Sequence, residues 1–172
     1  PAFVVCFFQL MMFWLGHRTW SRRYGLETGA VVWISLFLVA GVLIIVYPLR
    51  LMFGAAMAFV TDGLLPTAID FNFDQLRTVF VLYGCGFSFL SSLIAALYGL
   101  ALKHEGLHLS QQERLATKSN VIAWVILAST GLLSVLIALS ALGMWIIAAG
   151  WIYMSLTILM PLHASYSSRA VN

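Results

Sequence analysis

Charge is what this sequence has least of. Nine Lys or Arg and six Asp or Glu amount to 9% of its 172 residues, against roughly 25% in an ordinary soluble domain. So few charges cannot clothe a water-soluble fold of this length, and that class is excluded. The net charge of +3 is small and the basic residues form no extended face, so no nucleic-acid partner is expected. Only two cysteines occur, Cys6 and Cys85, both in apolar surroundings. They make neither a disulfide framework nor a metal cluster and are expected as free thiols. There is no initiator Met, and no basic segment or small-residue cleavage site of a signal peptide precedes the first apolar run. The sequence is therefore expected to begin inside or close to a transmembrane helix, with further chain upstream.

Hydrophobic residues make up 62% of the chain. A hydrocarbon core of roughly 30 Å needs about 20 helical residues at 1.5 Å each. The charge-free runs from Gly29 to Pro48 and from Thr78 to Leu102 meet that length. The run from Val121 to Leu162 is too long for one span, and a tight turn near Leu142 and Gly143 divides it. Pro1 to Leu15 is apolar but reaches only about 22 Å as a helix. Within lipid every backbone N–H and C=O must be paired internally, so these runs are helices. The expected fold is all-α, a polytopic transmembrane helix bundle forming one integral-membrane domain. Its spans are placed at about 1–15, 29–49, 78–102, 121–142 and 144–162.

Loop charges orient the spans. Arg18, Arg22 and Arg23 follow the first, Lys103, Arg114 and Lys118 lie between Leu102 and Val121, and Arg169 is in the C-terminal tail. Thr61 to Gln75 carries Asp62, Asp70 and Asp74 and no basic residue. With five spans the three basic segments share one side, which the positive-inside rule makes cytoplasmic, C-terminus included. The expected location is a bacterial inner membrane or its equivalent, with the lipid bilayer as the first partner.

Several features read as packing. Gly84, Ser88, Ser92 and Ala96 recur every four residues, a small-residue stripe that lets another helix approach closely. Trp14, Trp20 and Trp33 bracket the first loop as an aromatic belt would. Pro48 and Arg50 are placed at the non-cytoplasmic end of the second helix, Arg50 snorkelling to water, with Leu51–Val60 interfacial or re-entrant.

Apart from Arg50, the spans hold no Asp, Glu, Lys or Arg, which disfavours a proton relay. His17 and His163 sit at helix ends, where interfacial polar roles outweigh haem ligation, and no cofactor is expected. His104-Glu105-Gly106-Leu107-His108 matches H-E-x-x-H, in which two His one turn apart bind zinc and Glu acts as base. Gly106 weakens the helix such a site requires, and neither Glu113 nor His163 is spaced as a third ligand. Zinc hydrolysis stays an alternative, and a non-enzyme is expected.

The stretch Phe7-Phe8-Gln9-Leu10-Met11-Met12-Phe13-Trp14-Leu15-Gly16-His17-Arg18 resembles the end of the second helix in the endosomal and lysosomal potassium channel family and its bacterial relatives. Trp33 to Leu38 and Pro48 follow in similar order, and the later loop ends in the similar Leu109-Ser110-Gln111-Gln112-Glu113-Arg114. The resemblance implies helices two to six of a six-helix subunit, with the family's Phe-Ser-Asp motif and pore-lining first helix upstream. It implies that Trp14, His17 and Ser35 support the pore helix, Ser35 standing where the family usually has Asn. It further implies a potassium-permeable channel subunit, passing potassium ions as a homo-oligomer or within a membrane complex. An accessory transmembrane subunit of a larger complex is the non-channel alternative.

Overall fold

The computed structural model describes residues 2–61, 73–141 and 143–171. Asp62, Asp70 and Leu142 lie outside the described residues, as does the side chain of Arg169. Four long helices come first: α1 (Ala2–Tyr24), α2 (Gly29–Val60), α3 (Phe73–Lys103) and α4 (Gln111–Ser140). A broken return segment follows, with 3-10 turns at Gly143–Ile147 and Ile152–Ser155 around α5 (Ala148–Trp151), ending in α6 (Leu156–Val171). No strand occurs among the described residues. The protein is an all-α helix bundle, and its apolar helices make it an integral membrane protein.

By length and composition four stretches can cross a bilayer: Gly29–Met57, Asp74–Lys103, Gln111–Ser140 and Trp145–Tyr166. In α1 the apolar part gives way after Leu15 to His17, Arg18, Arg22 and Arg23. These arginines occupy the last two turns of the helix rather than a loop. The chain then reverses at Gly25, whose φ of 54° is left-handed and whose N–H donates to Ser21 O at 3.0 Å.

Two expected helix ends are displaced. α2 does not stop at Pro48 or Arg50 but continues to Val60, so Leu51–Val60 is the end of the same helix, not a re-entrant segment. Proline removes one helical N–H donor, whereas leaving the helix would expose ten more residues of unpaired backbone. The other shift is in the connection from Leu102 to Val121, which is mostly helix. A capping box starts α4 at Gln111: Glu113 N–H donates to Ser110 Oγ, and Ser110 N–H donates to Glu113 Oε2 at 2.9 Å. Ser110-Gln111-Gln112-Glu113 is the S-x-x-E signature of such a box, worth about 1 kcal/mol. Arg114 and Lys118 consequently lie on the first turns of α4.

α3 is central, packing against α1, α2 and α4. The α2–α3 seam is built on two glycines. Leu90 fills the space over Gly41, and Ile45 fills the space over Gly86. α2 and the return segment keep most of their apolar surface uncovered.

Candidate functional site

The inner face of α1 repeats Phe13, Gly16, Trp20 and Tyr24 at helical spacing, which turns these residues toward α3 and α4. Gly16 has no side chain, and the Trp124 indole of α4 occupies the space where one would be. Phe13 lies between Trp124, tilted at 30° with its centroid 6.0 Å away, and Phe87, which meets it edge-on at 5.6 Å. Trp20 is 2% exposed, so it is no member of an interfacial belt. Its indole N–H donates to Leu97 O of α3 at 2.8 Å, the partner that a buried indole requires. Tyr24 OH and Thr117 Oγ1 are 2.7 Å apart, tying α1 to α4, while Thr117 itself donates to Glu113 O at 2.6 Å. Trp14 and Trp33 are exposed, as belt residues would be.

On the flank of α1 facing α2, His17 Nε2 lies 3.0 Å from Ser35 Oγ. The Trp14 ring is 6.5 Å from that of His17, and Trp20 continues the row at 6.4 Å. The three residues assigned to pore-helix support therefore meet in one place. The pair His17–Ser35 fastens α1 to α2, and Trp14 stands exposed beside it. The serine hydroxyl, short as it is, reaches the imidazole.

Within the single chain the small-residue stripe divides between two environments. Gly84 and Ser88 are buried against Gly131, Val135 and Ala128 of α4, with Ser88 Oγ donating to Ala128 O at 2.6 Å. Ser92 and Ala96 are exposed, and Ser91 and Ala95 take the buried positions. A four-residue step turns a helix about 40° beyond a full circle, so three steps carry the stripe about 120° off the seam.

The H-E-x-x-H string builds no zinc site. α3 ends at Lys103, His104 is extended, Glu105–Leu107 is one 3-10 turn, and His108 is left-handed at φ 40°, ψ 44°. Without a continuous helix the two imidazoles do not share a face. Glu113 serves its cap, and no cluster of three or more His, Cys, Asp or Glu placed to hold a metal occurs among the described residues. Cys6 is buried and Cys85 exposed, both free.

Reasoning from sequence missed Arg77. Its Nε and Nη2 donate to Ala138 O (3.2 Å) and Ala141 O (3.0 Å) at the C-terminus of α4, and Nη1 lies 3.5 Å from Asp74 Oδ1. It stands just past the interval from Thr61 to Gln75 that was read for its lack of basic residues.

No protein-family model matches the chain. It is 26% identical over 144 residues, 80% of its length, to a protein of Marivirga tractuosa described as a potassium channel. The chain spans 58% of that relative. Its structure is similar to the crystal structure of a variant of the potassium channel MtTMEM175 in complex with a nanobody–MBP fusion, with a TM-score of 0.82 and 24% identity. The likeness covers 98% of this chain and 77% of the other, so the fold is shared. The Marivirga relative bears out the resemblance to a potassium channel family, and the solved structure shows that the fold is shared.

Proposed function

We propose that this chain supplies helices two to six of a potassium-permeable channel subunit, with a pore-lining helix in the segment upstream. The observation that carries the reading is the His17–Ser35 contact beside exposed Trp14, at the positions the resemblance assigns to pore-helix support. Two helices pinned at one point, with an aromatic ring free next to it, form a face on which a further helix seats. The described spans carry few ionisable residues, so charged relays have little part, and passage is controlled by an apolar constriction that excludes water. The subunit assembles as a homo-oligomer around that pore. Arg18, Arg22, Arg23, Arg114 and Lys118 mark the cytoplasmic end, and the C-terminus lies on the same side.

The test is potassium flux from liposomes holding the chain together with its upstream segment. Flux is expected in the unaltered protein, a several-fold fall in His17→Ala at unchanged helical content, and retained flux in Ser35→Asn. Liposomes no more permeable than empty ones would overturn the channel reading, and stoichiometric co-purifying partners without flux would put an accessory subunit in its place.

A further inference from the structure

A groove of about 380 Å³ runs between α4 and the return segment, lined among others by Ile122, Val125, Ser129, Leu133, Ser155 and Leu159. From Val121 to Leu133 it follows α4 for about 18 Å, close to the depth of one leaflet of a roughly 30 Å hydrocarbon core. Its hydroxyls are already committed: Ser129 Oγ donates to Val125 O at 2.8 Å, Thr130 Oγ1 to Ile126 O at 2.9 Å and Ser155 Oγ to Ile152 O at 2.6 Å. The groove therefore asks no polar group of its occupant and suits a hydrocarbon chain.

One end of it is cationic. Lys118 precedes Ile122 by one turn on the same face of α4, is exposed, and has no carboxylate partner among the described residues. The short connection from Ser140 to Gly143 makes the return segment antiparallel, and Ser134 Oγ donates to Ala149 O at 2.7 Å across it.

From this geometry we infer that the groove is a binding site for an anionic phospholipid, one acyl chain lying along α4 and the phosphate held by Lys118. Charge complementarity selects this occupant: a zwitterionic lipid fills the groove equally well, but the cation of its own headgroup offsets the attraction between its phosphate and the Lys118 ammonium, whereas an anionic lipid keeps that attraction whole. The site requires only that the chain be embedded in a bilayer and is independent of potassium conduction. A single lysine near an anionic headgroup is worth about fivefold in affinity.

The experiment is native mass spectrometry of the full chain, released from neutral detergent after exposure to equal amounts of phosphatidylglycerol and phosphatidylcholine. The unaltered protein is expected to retain phosphatidylglycerol preferentially, and Lys118→Gln to lose about fivefold of that preference. Ser129→Phe, which fills the groove from an exposed position, is expected to retain neither lipid. Arg18→Gln removes an exposed cation from another helix and should keep the preference. Equal retention of both lipids by the unaltered protein, or an undiminished preference in Lys118→Gln, would overturn the site. So would Ser129→Phe breaking up an oligomer while phosphatidylglycerol stays bound, since the groove would then hold a second copy of the chain.

Discussion

Gly84 of α3 and Gly131 of α4 face each other so closely that each excludes a side chain from the other. A Cβ on Gly84 would stand 2.9 Å from Gly131 O, and a Cβ on Gly131 would stand 2.9 Å from Gly84 O. The reciprocal clash involves backbone on both sides, which cannot rotate away as a side chain would. In lipid there is no hydrophobic drive between helices, and close backbone approach of this kind supplies the attraction.

Gly131→Ala is accordingly expected to destabilise the protein by about 1–3 kcal/mol through overpacking. Gly99→Ala on the central helix α3 supplies the control. Nothing lies within 4 Å of the added methyl, and replacing a helical glycine there should be neutral or stabilising by up to about 1 kcal/mol. Thermal unfolding in detergent compares the two. Equal losses would show that the α3–α4 seam tolerates an added methyl and is not set by its glycines.

Trp20 and Tyr24 both tie α1 to the bundle, but their loss should not cost the same. Trp20→Phe removes the donor to Leu97 O and leaves part of a large buried site empty, so a loss of about 2 kcal/mol or more is expected. Tyr24→Phe leaves Thr117 still donating to Glu113 O, so only about 0.5–1 kcal/mol should be lost. Unfolding midpoints of the two variants rank the contacts, and the reverse order would mean that Trp20 is held by packing that phenylalanine reproduces.

The Ser110–Glu113 cap should make stability depend on acid pH. Donation from the Ser110 backbone N–H, then from its hydroxyl, holds the Glu113 carboxyl below its ordinary value of 4.5. A carboxylate whose folded pKa is depressed contributes fully above its unfolded pKa and loses that contribution as pH falls through the folded value. Acidification from pH 7 to below 4.5 should therefore lower the unfolding temperature of the unaltered protein more than that of Glu113→Gln. Parallel pH profiles for the two would remove the carboxylate from the cap.

Much of this architecture was open to reading from composition, because apolar runs of bilayer length have few alternatives to helix. The meeting of Trp14, His17 and Ser35 came from a resemblance, since no local rule pairs positions 17 and 35. Hydropathy could not show that Trp20 is buried, because an indole suits an interface or a core equally and its partner Leu97 is 77 residues away. Counting by four along α3 finds Gly84 and Ser88 on the seam with α4, and the slow rotation of the helix puts Ser91 rather than Ser92 against the same subunit. The capping box at Ser110 is a fully local signal, Ser110-Gln111-Gln112-Glu113, in a segment whose basic residues also suit a loop.

Arg77 places a cation at the C-terminal end of α4. The last carbonyls of α4 have no intrahelical donors and carry the negative end of the helix dipole. A guanidinium reaching both Ala138 O and Ala141 O satisfies two acceptors with one rigid fork. Arg77→Gln should therefore lower stability by about 1–2 kcal/mol, and Arg77→Lys, which lacks the fork, should recover only part of it. Asp74 is exposed and 3.5 Å away, so Asp74→Asn should cost under about 1 kcal/mol. Hydrogen exchange at the connection from Ala141 to Gly143 gives a local reading. Faster exchange there in Arg77→Gln, with the far end of α4 unchanged, is the expected pattern, whereas uniform acceleration along α4 would assign Arg77 to global packing instead.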